Sequence, residues 1–89
     1  MKKLQHTKQF KKDLKKIQNN PKRIAEVKKA LKILEETGAL PKDYLPHKLE
    51  GVYKGCIECH IENDLLLIWF DQKNNIIKLI RLGSHSEVF

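Results

Sequence analysis

The apolar residues of this chain change their spacing once, at Gly38, and that change limits what the chain can fold into. Before Gly38 they recur every three or four positions; in the second half they alternate. Phe10, Leu14 and Ile17 make one stripe, and Ile24, Val27, Leu31 and Leu34 make another, each the apolar face of an amphipathic helix. Thr7 is placed to cap the first helix, which begins near Lys8. Asn19-Asn20-Pro21 ends it and opens the second, with Asn20 as cap and Pro21 at the first helical position. Gly38 is the natural stop. A tight turn between the stripes makes the helices an antiparallel pair. Lys2 to His6 is a candidate short strand ahead of them.

Beyond Gly38, Leu40 to Glu50 carries Pro41 and Pro46 with little periodicity and reads as a loop holding His47. From Tyr53 the period is two. Ile57, Cys59 and Ile61 share one face of a strand, and Cys56, Glu58 and His60 the other. Asn63-Asp64 is a turn. Leu65 to Phe70 is apolar throughout, as a central strand buried on both faces would be. Asp71 to Asn75 is a second turn, Ile76 to Leu82 a third strand, and Gly83 ends it before the tail Ser84 to Phe89. The expected fold class is α+β: one domain over residues 1–89, with two N-terminal antiparallel helices packed on a mainly antiparallel sheet.

At 89 residues with 40% hydrophobic and 33% charged side chains, the chain suits one small folded domain rather than a disordered segment. Its longest apolar run, Leu65 to Phe70, is too short for a bilayer, so no membrane partner is expected. The lysines at the start precede no apolar stretch of a secretory signal, so the expected location is the cytoplasm. The net charge of +7 is uneven. Residues 1–50 hold fourteen Lys or Arg against six Asp or Glu, and residues 51–89 hold four against five. A basic half invites an anionic partner; the plainer reading is a solvated helical face.

Gly55-Cys56-Ile57-Glu58-Cys59-His60 contains C-x-x-C-H, the spacing of c-type haem attachment. On a strand, residues three apart point to opposite faces, so the two sulfurs cannot clasp one haem or zinc ion. No second cysteine pair exists to complete a zinc site. Cys59 is better read as a core thiol and Cys56 as a half-exposed strand residue. The histidines are more informative. Of four, His47, His60 and His85 fall at loops or strand ends of the second half, while His6 stands without a motif. Imidazoles as a class exchange protons near neutral pH and suit general acid–base work. Cleavage of RNA by its own 2′-hydroxyl needs a base, an acid and a cation for the phosphorane charge. His47, His60, His85, Asp64 and Arg81 include residue types for all three, and would form such a site where the fold brings them together.

The second half also resembles the YafQ branch of the RelE-like toxins, the mRNA interferases of bacterial type II toxin–antitoxin systems. The resemblance rests on H-x-L-x-G-x-[WY]-K-G, here His47 to Gly55, and on Cys59-His60-Ile61 with Asp64 four residues after His60. Leu66-Leu67-Ile68-Trp69 is similar to the family's apolar strand, and Arg81 to Phe89 is similar to its tail. The likeness is good over residues 47–89 and holds in layout over the helices. It implies a curved RelE-like sheet and ribosome-dependent mRNA cleavage without a metal or other cofactor, leaving a 2′,3′-cyclic phosphate and a 5′-hydroxyl. It implies a cognate antitoxin, often with a ribbon-helix-helix domain, through which the pair would reach operator DNA. His47, His60, Asp64 and His85 match the family's catalytic residues, Arg81 its last-strand arginine and Phe89 its terminal aromatic. The implied roles are His85 as the acid, His60 or His47 as the base, Asp64 as the residue orienting a histidine, and Arg81 on the scissile phosphate. Phe89 would stack on a base and Lys54 would touch phosphate. Ile57 stands where the family often has arginine, Asn63 where it has proline, and Leu65 where it has an aromatic.

The plainer readings are a turn residue for Asp64, a solubilising charge at a sheet edge for Arg81, and core positions for Trp69 and Phe89. A competing function is a non-catalytic basic module that binds RNA or an acidic partner. It would need the lysines but not His60 or His85.

Overall fold

A computed structural model describes all 89 residues. A short strand β1 (Lys3–His6) leads into α1 (Lys8–Lys16) and α2 (Pro21–Thr37). There follow β2 (His47–Lys48), β3 (Ile57–Glu62), β4 (Leu65–Lys73), β5 (Ile76–Gly83) and a last helix, α3 (His85–Val88). The five strands form one sheet in the order β1-β5-β4-β3-β2. β1 runs parallel to β5, and the other pairs are antiparallel. The α+β class and the mainly antiparallel sheet expected from the sequence are both present.

The helix ends follow local chemistry. The Thr7 hydroxyl accepts from the Phe10 N–H at 3.2 Å and donates to the Leu79 carbonyl at 2.7 Å, so the cap also ties α1 to β5. Asn20 caps α2 through the Arg23 N–H, with Pro21 at the first turn. Gly38 ends α2 with φ 80°, a left-handed geometry that an L side chain resists. α1 packs along β5 and α2 against β3. The lysines of both helices face solvent.

The sheet has two unequal faces. On the helix side, Phe10, Val27, Ala30 and Leu34 meet Cys59, Leu65, Leu67, Trp69, Ile77 and Leu79 in the main core. Each such large side chain contributes about 1.5–3 kcal/mol through removal from water. On the other side, Leu66, Ile68, Cys56 and Val88 form a smaller core edged by Leu49, Tyr53 and Ile80. β4 is therefore buried on both faces over Leu65–Trp69, as its unbroken apolar run required.

Four details depart from the sequence reading. His47 and Lys48 are a strand paired with Glu58 and Ile57, where a loop was expected. β4 continues through Lys73, and the turn is narrower than Asp71 to Asn75: Asn74 and Asn75 hold φ of 53° and 64°, the positive values a two-residue hairpin turn uses. Cys56 precedes β3 and is buried in the smaller core instead of lying half exposed on the strand. The tail is helical, because Ser84 and Glu87 close a capping box. No helix is long and apolar enough to cross a membrane.

Candidate functional site

Strand register puts His47, Glu58 and His60 on the sheet face away from α1 and α2. His47 lies opposite Glu58, Glu58 opposite Ile68, and Ile68 opposite Arg81, forming one row across four strands. In the next row His60 lies opposite Leu66 and Leu66 opposite Gly83, the residue before the Ser84 cap of α3. Directly paired residues share a face, so the C-terminal end of β5 delivers α3 to the side that holds His47 and His60.

Glu58 is the hub at one end of this surface. It is only 4% exposed, and its Oε1 lies 3.1 Å from His47 Nε2 and 3.9 Å from His60 Nε2. His47 Nδ1 in turn lies 3.2 Å from the Leu45 carbonyl. Both ring nitrogens of His47 thus face acceptors, and a neutral ring can donate to only one at a time. Its proton can sit at either end, beside Glu58 or away from it. His60 is half-buried and His47 exposed, so solvent or a ligand reaches both.

α3 carries the other end. The Asp64 Oδ1 accepts the backbone N–H of His85 at 3.1 Å. Asp64 is therefore more than a turn residue: it holds the first residue of α3 by its main chain. The His85 ring lies 5.0 Å from the Phe89 ring, which meets the Tyr53 ring edge-on at 5.5 Å. The Tyr53 hydroxyl donates to the Val88 carbonyl at 2.8 Å and so satisfies an otherwise unpaired helix-end acceptor. Phe89 is 54% exposed, which leaves it outside the core. Gly55, at φ 91°, ends the turn that bears Tyr53 and Lys54, a left-handed geometry that an L side chain resists. Lys54 is exposed, with its backbone N–H bonded to the Gly51 carbonyl.

Arg81 pairs with Ile68 on β4, while on its other side β1 reaches only Leu79, so Arg81 stands at an open edge of β5 that Asp13 covers. Its Nε donates to Asp13 Oδ2 at 2.9 Å and its Nη2 to Asp13 Oδ1 at 3.3 Å, with a longer contact to the Glu87 carbonyl at 3.4 Å. Asp13 is 2% exposed. Burial alone would raise the Asp13 carboxyl, but hydrogen bonds from Arg81, the Leu82 N–H and Gln9 together hold it below its usual value. The Asp13 side chain on Arg81 is the largest influence raising the guanidinium's own value, with Tyr53 adding to it.

A stability consequence follows with a definite sign. A depressed folded-state value means that Asp13 stabilises the fold above its unfolded value near 3.8, and that this is lost as pH falls through the lower folded value. Urea unfolding of the wild type is therefore expected to show falling stability below about pH 4. Asp13→Asn should be less stable at pH 7, with a flatter pH dependence in the acid range. An unchanged acid slope in the variant would sink this assignment.

The structure brings His47 and His60 together at Glu58, and gathers His85, Phe89 and Arg81 around α3 with Asp64 at its start. His60 and His85 are not in contact. His60 lies opposite Leu66 on β3, and His85 opens α3 two residues after Gly83, which lies opposite Leu66 on β5. His6 lies elsewhere, edge-on to Phe10 at 5.5 Å. Three participants were missed in the sequence. Glu58 shares a strand face with His60 in the sequence pattern, which gives no sign of its burial. Asp13 interrupts an apolar helix face, the signal of a buried charge that needs a partner. Tyr53 lay within the motif, but the sequence offered no hint of its bond to α3. No group of three or more His, Cys, Asp or Glu side chains is arranged to hold a metal ion. Cys56 and Cys59 lie in separate cores on opposite faces of the sheet, and burial raises the Cys59 thiol to about 12.

Comparison with known proteins bears on this surface. A family model described as the bacterial toxin of a type II toxin–antitoxin system, YafQ, matches residues 2–89. The mRNA interferase toxin YafQ of Escherichia coli is 30% identical over 87 residues, covering 97% of this chain and 94% of the relative. A crystal structure of YafQ from E. coli superposes with a TM-score of 0.87 at 28% identity, covering 100% of this chain and 99% of that one. A metal-bound toxin from Helicobacter pylori gives 0.87 at 38% identity with both chains fully covered, 100% each. YafQ in the E. coli DinJ–YafQ complex gives 0.84 at 29% identity over 100% of this chain and 99% of that one. With nearly every residue matched in sequence and the whole backbone matched in space, the chain belongs to the YafQ family of bacterial type II toxin–antitoxin toxins.

Proposed function

We propose that this toxin is an endoribonuclease that cleaves mRNA on the ribosome by general acid–base chemistry carried by its own side chains. The observation that carries the reading is the placement of His47 and His60 around the buried Glu58 on the sheet face that also receives α3, which bears His85 and whose Glu87 carbonyl accepts from Arg81. The name of the E. coli relative, an mRNA interferase, supports the same reaction class.

In this mechanism His60 or His47 takes the proton from a ribose 2′-hydroxyl, with Glu58 stabilising the imidazolium that results. The 2′-oxygen attacks the adjacent phosphorus, and the bond from phosphorus to the 5′-oxygen breaks. His85 delivers a proton to that oxygen. The products are a 2′,3′-cyclic phosphate and a 5′-hydroxyl. Arg81 stabilises charge on the phosphorane, Lys54 adds a phosphate contact and Phe89 stacks on a base. The lysine-covered outer faces of α1 and α2 supply salt-sensitive contacts to ribosomal RNA. E. coli YafQ is found in a complex with DinJ. By the same pattern a cognate antitoxin, with a ribbon-helix-helix domain for operator DNA, restrains this toxin in the cytoplasm.

The chemistry is tested by the ends it leaves. Cut mRNA fragments should accept a 5′ label from polynucleotide kinase without prior phosphatase treatment. Fragments with 5′-phosphates would overturn the mechanism. Glu58→Gln preserves shape and removes the carboxylate charge. It is expected to slow cleavage about a hundredfold, measured by single-turnover kinetics; a wild-type rate would remove Glu58 from the mechanism.

A further inference from the structure

We infer that Asp13, on α1 and outside the RNA-facing surface, is a positioning residue for Arg81, fixing the guanidinium before substrate arrives. This rests on the reading of Arg81 as the phosphate ligand.

Asp13 is an expensive residue to place where it is. It is 2% exposed on a helix face otherwise built from Phe10, Leu14 and Ile17. A buried carboxylate persists only when its oxygens are fully engaged. Here they are: Oδ2 accepts from Arg81 Nε and from the Leu82 N–H, both at 2.9 Å, and Oδ1 accepts from Gln9 Nε2 at 3.0 Å and Arg81 Nη2 at 3.3 Å. Four donors occupy the roughly four acceptor sites of a carboxylate.

The geometry separates orientation from charge. Asp13 lowers the net charge around Arg81, so it does not serve to strengthen a positive field. It grips one edge of the guanidinium in the two-point fork that fixes both direction and rotation. Nη2 also reaches the Glu87 carbonyl, and the nearby Tyr53 hydroxyl favours the charged guanidinium. A rigid fork held along the Nε–Nη2 edge leaves Nη1 outside the Asp13 grip, as the end that meets a phosphate oxygen. The Leu82 N–H bond to the same carboxylate sets Asp13 relative to the β5 backbone that carries Arg81. A long, flexible arginine would otherwise lose its side-chain freedom during the reaction step; Asp13 removes that freedom in the folded protein.

A purely structural Asp13 would also weaken the protein when replaced, so the test is a double-mutant cycle on the chemical step. Wild type, Asp13→Asn, Arg81→Gln and the double variant are compared for single-turnover cleavage of mRNA on programmed ribosomes, below their melting temperatures. Asp13→Asn should slow cleavage about tenfold to a hundredfold at saturating ribosomes, without changing the half-saturating concentration. In the Arg81→Gln background the same change should alter the rate by less than about twofold, because nothing remains to be positioned. Equal losses in both backgrounds, or a wild-type rate for Asp13→Asn, would overturn the inference. A wild type that cuts nothing would remove the ribonuclease reading and this inference together. Should Asp13→Asn not fold at the assay temperature, the cycle is run with Asp13→Glu and judged by the same ratio.

Discussion

His85→Ala should abolish most cleavage while leaving the fold intact. A positioned general acid contributes about a hundredfold to ten-thousandfold, and His85 is the only imidazole carried by α3. The side chain is exposed, and the hydrogen bond that anchors its residue to Asp64 uses the main chain. Truncation therefore sacrifices the ring contact with Phe89 and little else, a change within about 0.5 kcal/mol of stability. The role can be separated from mere proximity. Replacing the scissile 5′-oxygen of the mRNA with sulfur gives a leaving group that departs as a thiolate, near pKa 8.5 for a simple thiol, and needs no proton. That substrate should restore much of the rate to His85→Ala. A variant that stays equally slow on both substrates would show that His85 does something other than protonate the leaving group.

Arg81→Gln is expected to lose in two ways at once. Removing a donor from developing anionic charge costs about a hundredfold to a thousandfold in rate. It also leaves Asp13, 2% exposed, without the partner that offsets its burial. Breaking such a pair costs about 3 kcal/mol, towards the low end because the Arg81 side chain keeps 20% of its exposure. Thermal unfolding should show a marked fall in melting temperature, partly restored by adding Asp13→Asn, since the neutral amide tolerates isolation better than a carboxylate. The rate should not recover with the stability. If it did, Arg81 would be a structural cation rather than a phosphate ligand.

The sequence carried the layout because its periodicities were long and unambiguous. The helical stripes from Phe10 to Leu34 and the apolar run Leu65 to Phe70 each had one low-energy way to bury themselves. The parallel pairing of β1 with β5 was not legible, since Lys3–His6 meets Ile76–Leu79 only through contacts more than seventy residues apart in sequence. β2 was hidden because two residues carry no period. The tail was readable too: Ser84-His85-Ser86-Glu87 is the S-x-x-E pattern of a capping box. At the site, the histidines were visible as types and as part of a motif. Their grouping was not, because Glu58 and Asp13 act through burial and register. A strand pattern shows which face Glu58 shares with His60, but not that His47 arrives from a neighbouring strand to close the pair.

One measurement reaches the central claim directly: primer extension on a defined mRNA, with and without translating ribosomes, for the wild type and His85→Ala. Discrete in-frame cuts that require ribosomes and vanish in the variant are the expected result. Equal cutting by both proteins would contradict it by removing His85 from the chemistry, and no cutting by the wild type while RNA binding is retained would contradict it and leave a basic binding module in its place.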